Sequence, residues 1–565
     1  MSKIQSTSRK ERISIRSFSL WMVFLALVFL FFVYPFLKML SFGVWTEDGF
    51  TTTYFEILGE TRIQRAIRNT IWIAIFATLI NTVLGVFFAW LVAYTDIRGK
   101  KLLQVLIIMP LIIPSYIVTL SWVEFSRWLP FGNIDLYSLG GIIFVMGISH
   151  YTLVYLLCVN VLRRIPLSLE EAVSTSGGSR WHVLFRVTIP LGMTGIIGGM
   201  IVAVLSNIEN FGVPAFLGIP GNVPVLSTAI YQEVVSYGSD SFARGSILSF
   251  VLILITGFII LMQWLMMRRF RSNDELSISH TPRVLLGRGR VWVEMLVYGF
   301  LVVTSIVPLF ALVRTSLSPF YGVDLTLENL TFKNFEYVLF DYNSTASAIQ
   351  NSFMLAFLAA LIGLVISLVI GYAIVRHNKW YHRLNEMFMA IPYSLPGTVL
   401  ALSLIIFWIQ PFPGVSPGVY STFWILLIAY VARFTILQVR AAVSSFNQID
   451  LSLEQAAISS GAGWFGRWKS IIMPLLTPGL IGGILLVVFT ALTELTLSAL
   501  LWSSGNETIG VVVFSFEQAG YKVYSSAFSV IIIGILLVGG IIYYLLTTWI
   551  ERRTHVDENN HKKRS

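Results

Sequence analysis

The sequence predicts an all-α membrane protein of about twelve transmembrane helices, arranged as two tandem, parallel six-helix modules. Two observations carry this prediction. The chain has 565 residues, 56% hydrophobic and 12% charged, whereas a soluble domain is about a quarter charged. Segments of the second half also repeat segments of the first at a nearly constant offset.

A helix that crosses the hydrocarbon needs about 20 mainly apolar residues. In the first half such stretches fall near 18–40, 67–94, 102–124, 139–162, 190–217 and 244–267. In the second they fall near 291–313, 350–375, 385–408, 420–439, 474–501 and 526–549. They delimit a basic amino-terminal segment (1–17), a first module (18–267), a basic linker (268–290), a second module (291–549) and a tail (550–565). The 18–40 stretch shows no small-residue cleavage site and is longer than the apolar core of a signal peptide, so it reads as a retained span.

Basic residues orient the spans. With both termini cytoplasmic, 29 of the 39 Lys and Arg lie in inner segments. The outer loops hold Arg62, Arg65, Arg127, Lys333 and Lys522, together with acids such as Glu47, Asp48, Asp135, Asp240, Asp324 and Glu507. The same asymmetry accounts for the net charge of +10 without any nucleic-acid partner.

Pro110 and Pro114 return as Pro392 and Pro396, and Asn69-Thr70 as Asn351-Ser352, each 282 residues later. Further on the offset is 284: LSLEEA (167–172) returns as LSLEQA (451–456), Gly177 as Gly461, and Pro190 as Pro474. Gly195, Gly198 and Gly199 return as Gly479, Gly482 and Gly483. An even number of spans per copy makes the copies parallel, an arrangement that favours a transport pathway between halves.

The loop after the fourth span of each half is the most informative segment. Leu167, Leu169, Ala172 and Val173 can share one side of a short helix, with Glu170 and Glu171 beside them. Ser168 is placed as an N-cap, with Glu171 at the capping-box position. Gly177-Gly178 suits a left-handed C-cap. Ser452, Gln455 and Gly461 repeat the pattern. A short helix standing off the membrane with small and apolar residues exposed buries them best in a groove of another protein. One such helix per half implies two equivalent partner subunits.

This loop resembles the signature of the permeases of binding-protein-dependent ABC importers: Glu-Ala-Ala, three residues, Gly, nine residues, Ile-x-Leu-Pro. Glu171, Ala172, Val173, Gly177, Val187, Ile189 and Pro190 fill it once; Gln455, Ala456, Ala457, Gly461, Ile471, Met473 and Pro474 fill it again. The resemblance implies that 166–178 and 450–462, with Glu170, Glu171 and Glu454 among their residues, are coupling helices docking on two copies of a cytoplasmic ATPase. Gln455 departs from the expected Glu, and its neighbour Glu454 is the residue available to compensate. The resemblance also implies an extracytoplasmic solute-binding protein as partner, with ATP and Mg on the ATPase and no cofactor on this chain.

The fused pair looks most like the ferric-iron permeases, whose relatives carry thiamine, polyamines or phosphonates. That group shows an acidic-Phe-Gly-x-Pro stretch, here Asn210-Phe211-Gly212-Val213-Pro214, and Glu-Leu-x-x-Thr, here Glu494-Leu495-Thr496-Leu497-Ser498.

A carboxylate within a span defaults to a functional role. Glu209 and Glu494 lie 19 and 20 residues beyond Pro190 and Pro474, toward the external mouth. With Asn207, Asn210 and Thr493 they are candidates to line the pathway; the alternative is that they cap or kink helices, or pair with a base such as Arg433. Pro110, Pro114, Pro392 and Pro396 interrupt helical hydrogen bonding in the third spans, and the glycine triplets permit close helix packing. Glu124 and Arg127 fall at the external interface.

No G-x-x-x-x-G-K-[ST] occurs, no Cys/His set has metal-ligand spacing, and Cys158 is the lone cysteine. The chain therefore carries no enzymatic chemistry and no metal site of its own. An ion-coupled secondary transporter also suits a parallel repeat but leaves the duplicated loop unexplained, as does a membrane anchor or scaffold.

Overall fold

The computed structural model describes residues 15–46, 49–128, 135–236, 238, 240–268, 282–410 and 418–562. Most of the basic amino-terminal segment and of the linker, 1–14 and 269–281, lies outside the described residues, as do 563–565. Among the described residues, the one pair of strands is a two-residue hairpin, Trp45–Thr46 against Gly49–Phe50. The remainder is helix and connecting loop, because hydrocarbon offers no partner for a backbone N–H or C=O outside a helix or closed barrel.

Ten helices are long and apolar enough to cross a membrane, and twelve spans result if each of two bent pairs is one crossing. The bent pairs are the third span of each repeat. Lys100–Ile112 meets Ser115–Ser126 at 103°, and Trp380–Ser394 meets Gly397–Trp408 at 108°. Pro114 and Pro396 sit at these corners in extended conformation, each as the N-cap of the second arm. Proline disfavours helix at the residue before it, and Ile113 is accordingly extended. The result is two short helices at a near right angle, sharper than a kink.

The fifth spans also depart from the expected bounds of 190–217 and 474–501. They run Arg180–Glu209 and Trp464–Leu492. Each takes in the chain just after the loop helix through one widened turn, Leu184–Thr188 or Trp468–Ile472. Each stops early, and a ten-residue helix then precedes the sixth span: Leu226–Val235 in the first repeat and the apolar Ile509–Gln518 in the second. Neither was expected from hydropathy, since ten residues cannot cross the bilayer.

The Asn-Thr and Asn-Ser pairs of the second spans hold these short helices in place. Asn69 Nδ2 donates to Pro224 O at 2.9 Å, and Thr70 Oγ1 accepts from the Leu226 N–H at 2.9 Å. Asn351 Nδ2 reaches Gly505 O and Glu507 O at 3.2 and 3.1 Å, and Ser352 Oγ accepts from the Ile509 N–H at 2.9 Å. One residue pair therefore performs the same capping task twice, satisfying helix-start donors that have no intrahelical partner.

The chain divides into two compact units. The first comprises 1–38, 356–394 and 427–488. In it the first span of the chain packs on helices of the second repeat: Val28, Phe32 and Val33 share a core with Ile370, Met389 and Ile436. Trp21 meets His382 edge-on at 4.2 Å. The second unit comprises 39–355, 395–426 and 489–565. In it the first span of the second repeat, Gly287–Ser316, packs on the first repeat. Leu301 joins a core with Phe88, Leu106, Tyr151 and Tyr155, and Phe300 lies 6.0 Å from Phe88. Each unit thus packs the first span of one repeat against helices of the other.

Of the glycine triplets, two members per repeat are packing positions. A Cβ on Gly199 would stand 2.9 Å from Val154 Cα, one on Gly195 2.9 Å from Val161 Cγ2, and one on Gly483 3.0 Å from Ala441 Cβ; Gly479 abuts Ser445. Gly198 and Gly482 have nothing within 4 Å of that position and take no part in the packing.

Candidate functional site, a pair of anchored loop helices

The loop after each fourth span folds into a short helix, Leu167–Thr175 in the first repeat and Leu451–Ser459 in the second. Their starts differ from the capping box expected at Ser168 and Ser452. The first helix begins after Pro166, whose fixed φ suits the position but which offers no side-chain cap. The second is capped by Asp450, whose carboxylate accepts from the Ser452 N–H at 2.8 Å. That backbone N–H, with the Ser452 hydroxyl, holds the Asp450 carboxyl below the usual range. Ser168 and Ser452 therefore lie inside the first turn, two places beyond the cap position.

The ends follow the sequence reading. Gly177 and Gly461 have φ of +83° and +82°, a left-handed conformation that costs glycine nothing. The Gly178 N–H reaches back to Val173 O and the Ala462 N–H to Ala457 O, both at 2.9 Å. These 6→1 bonds close each helix in the same way.

The two faces of these helices have opposite character. Leu167, Leu169, Glu171 and Ala172 are exposed on the first, and Leu451, Leu453, Gln455, Ala456 and Ile458 on the second. Trp181 and Phe185, stacked at 6.0 Å, and Trp464 and Phe465 extend the exposed apolar surface past the glycines. Pro190 and Pro474 stand farther on, at the start of the regular helix of each fifth span.

Glu170 and Glu454 point the other way, at 6% and 2% exposure. Glu454 consequently does not stand in for the carboxylate missing at Gln455, because it is turned into the protein. Burying a carboxylate is costly unless it is paired and hydrogen-bonded, and both are. Glu170 Oε1 accepts from Tyr94 Oη at 2.7 Å and Thr188 Oγ1 at 3.2 Å, and Arg283 Nη1 lies 3.0 Å away. Glu454 Oε1 accepts from Arg376 Nε at 2.7 Å, with Tyr372 Oη 3.5 Å from Oε2. Sequence reading missed Tyr94, Arg283 and Arg376. The signal available was that Glu170 and Glu454, unlike 171 and 455, are the same residue in both repeats.

The five candidate pathway residues divide. Asn207 is 2% exposed, and its polar atoms are spent on neighbouring helices. Its amide donates to Thr78 Oγ1 and Asn81 Oδ1 at 3.0 and 2.9 Å, and its carbonyl lies 2.8 Å from His150 Nδ1. Glu209, Asn210, Thr493 and Glu494 are partly exposed and sit at the helix breaks. The 284-residue offset pairs Asn210, not Glu209, with Glu494. The structure bears this pairing out: Asn210 Oδ1 accepts from the Val213 N–H and Glu494 Oε1 from the Leu497 N–H, both at 2.9 Å. Asn210 also donates to Ser115 Oγ at 3.1 Å, and Thr493 Oγ1 donates to Phe489 O at 3.0 Å.

At the far end of the first repeat's third span, Glu124 is buried against Thr315 Oγ1 at 2.6 Å, with Arg127 3.7 Å away. Among the described residues, no three His, Cys, Asp or Glu side chains gather as a metal site.

Ten to twelve spans, a duplicated module and a duplicated, inwardly anchored loop helix define a multi-pass membrane transport permease. The family model for the binding-protein-dependent transport system inner membrane component matches residues 81–271 and again 363–556. The chain belongs to this family, as a membrane-embedded permease component of a binding-protein-dependent ABC importer that carries the module twice. The Fe(3+)-transport system permease protein FbpB 2 of Haemophilus influenzae is 26% identical over 89% of this chain and 93% of its own length. The ferric transport system permease protein FbpB of Actinobacillus pleuropneumoniae is 24% identical over 95% of this chain and 78% of its own. The molybdenum transport system permease protein ModB of Escherichia coli is 28% identical over 36% of this chain and 92% of its own. A crystal structure of a bacterial alginate ABC transporter with its periplasmic protein aligns over 46% of this chain and 97% of that chain, at 17% identity and a TM-score of 0.38.

Proposed function

We propose that this permease imports ferric iron delivered by an extracytoplasmic binding protein, and that two copies of a separate cytoplasmic ATPase drive it through Leu167–Thr175 and Leu451–Ser459. The observation that carries the ATPase part is the polarity of those helices. Each buries one ion-paired carboxylate inward and leaves leucines and alanines exposed outward. Exposed apolar surface rimmed by polar groups marks a protein interface. Nucleotide and Mg belong to the partner, and both termini of this chain face the cytoplasm, as the distribution of Lys and Arg supports.

The ferric assignment rests on relatives that match through both repeats and are named for ferric transport, whereas the molybdenum permease matches about one third of the chain. In this reading the binding protein holds the cargo ligands and most of the specificity. Glu209, Asn210, Thr493 and Glu494, at the helix breaks of the fifth spans, line the outer part of the route, where carboxylates favour a cation.

The test is reconstitution. The tagged chain is purified gently from its native membrane, co-purifying subunits are counted, and proteoliposome uptake is measured with ferric, molybdate and thiamine cargos. Two ATPase copies per chain and ATP-dependent ferric uptake are the expected result. Uptake of another cargo overturns the iron assignment. Ion-driven uptake by the chain alone overturns the ATPase reading.

A further inference from the structure

The inter-module linker is short and basic, and covalent connection is the least it has to do. Its last part does more. The Arg283 and Val284 N–H groups both donate to Tyr94 O, at 2.8 and 2.9 Å, and Thr95 and Val284 form a parallel bridge. The Leu286 N–H donates to Asp96 Oδ1 at 2.9 Å, and Arg290 pairs with the same carboxylate. Tyr298 Oη donates to Arg98 O at 2.8 Å, and the Arg98 N–H donates to Glu294 at 2.9 Å. The linker and the start of the following span are thus laced to the loop after the second span.

This lacing delivers one side chain to the loop helix. The Arg283 guanidinium, 5% exposed, lies 3.0 Å from Glu170 Oε1, donates to Tyr94 Oη at 3.0 Å and to Ile165 O, and stacks 4.6 Å over the Tyr94 ring. In the second repeat, Arg376 reaches Glu454 Oε1 at 2.7 Å and Ile449 O at 3.0 Å. Glu454 and Ile449 are the repeat equivalents of Glu170 and Ile165, at the offset of 284. Both guanidiniums therefore make the same two contacts, one to the buried carboxylate and one to the carbonyl before the helix. They come from different places. Arg376 ends the second span of its own repeat, where the first repeat has Tyr94, 282 residues earlier.

We infer that Arg283 is a positioning residue for energy coupling: the linker supplies in the first repeat the arginine that the second repeat carries on its own helix. A planar guanidinium bonded to both the helix carboxylate and the preceding carbonyl fixes the direction of the helix as well as its distance. Without it, Leu167–Thr175 keeps its hydrogen bonds to Tyr94 and Thr188 but loses the grip on its leading end. A push on its exposed face then rocks the helix rather than moving the spans. The inference rests on the reading of Leu167–Thr175 as an ATPase-docking helix.

The experiment uses the full chain assembled with its ATPase and binding protein in proteoliposomes, and reads cargo moved per ATP hydrolysed. Arg283→Ala is expected to lower that ratio at least tenfold, and Arg283→Lys, a single-point donor, several-fold. Tyr94→Arg combined with Arg283→Ala is expected to restore most of the ratio by rebuilding the second repeat's arrangement. An Arg283→Ala transporter with an unchanged ratio overturns the inference. So does a loss that Tyr94→Arg leaves in place. Where Arg283→Ala fails to accumulate in the membrane, an unchanged ratio in Arg283→Lys overturns it equally. Failure of the docking reading is seen separately, as an unaltered chain that transports with no ATPase present.

Discussion

Tyr94 and Arg376 hold corresponding positions in the two repeats, and each bonds at 2.7 Å to the buried carboxylate of its own loop helix, Glu170 or Glu454. A neutral phenol and a cation cannot do the same electrostatic work. The first repeat makes up the difference with Arg283, so the halves reach one geometry by two routes.

The Arg376–Glu454 pair is buried on both sides, at 10% and 3% side-chain exposure. Arg376→Ala strands a carboxylate and is expected to destabilise the purified chain by about 3–5 kcal/mol, whereas Arg376→Met with Glu454→Leu costs far less. Unfolding midpoints of single and double variants in detergent check this. Equal losses in both variants would show that the pair contributes through packing alone.

Asn69 and Asn351 make equivalent bonds to the loops that lead into the short helices before the sixth spans. Alanine at Asn69 is expected to cost about 1–2 kcal/mol, the usual range for leaving a buried carbonyl without a donor, and alanine at Asn351 less, because water reaches the Gly505 and Glu507 carbonyls. Because the two share no partner, the losses add in the double variant. Thermal stability of the three variants is the measurement.

Gly199 and Gly198 are neighbours with opposite surroundings. Gly199→Leu drives a side chain into the Val154 backbone and is expected to abolish accumulation of folded chain, while Gly198→Leu is tolerated. The same contrast is expected between Gly483 and Gly482. Monodispersity on size exclusion reads both pairs.

Glu494 has two candidate roles that one pair of substitutions separates. Glu494→Gln keeps an oxygen to accept from the Leu497 N–H and is expected to preserve stability, whereas Glu494→Ala loses the cap at a cost of about 1 kcal/mol. If the carboxylate also serves cation transport, ferric uptake falls in both variants. Full uptake by Glu494→Gln confines the residue to capping.

Much of this molecule is legible in its sequence. Span number, repeat register and the glycine that ends each loop helix follow from composition, spacing and one backbone constraint. Local errors arose where one residue decides a boundary. Pro166 displaced the cap expected at Ser168, and Pro114 and Pro396 turned two spans through a right angle. Depth along the helix pairs Glu209 with Glu494, whereas the repeat offset and the observed bonds pair Asn210 with it.

By itself the sequence determined an all-helical, duplicated membrane permease with a loop helix per repeat, since hydrophobic length and internal repetition are properties of contiguous residues. Only the tertiary structure decided which acid of each loop helix turns inward, that the first spans are exchanged between repeats, and that Arg283 grips Glu170. Those contacts join residues up to several hundred positions apart. Neighbouring sequence carries no mark of such partners, and folding brings them together because a buried carboxylate needs a cation from wherever the chain can supply one.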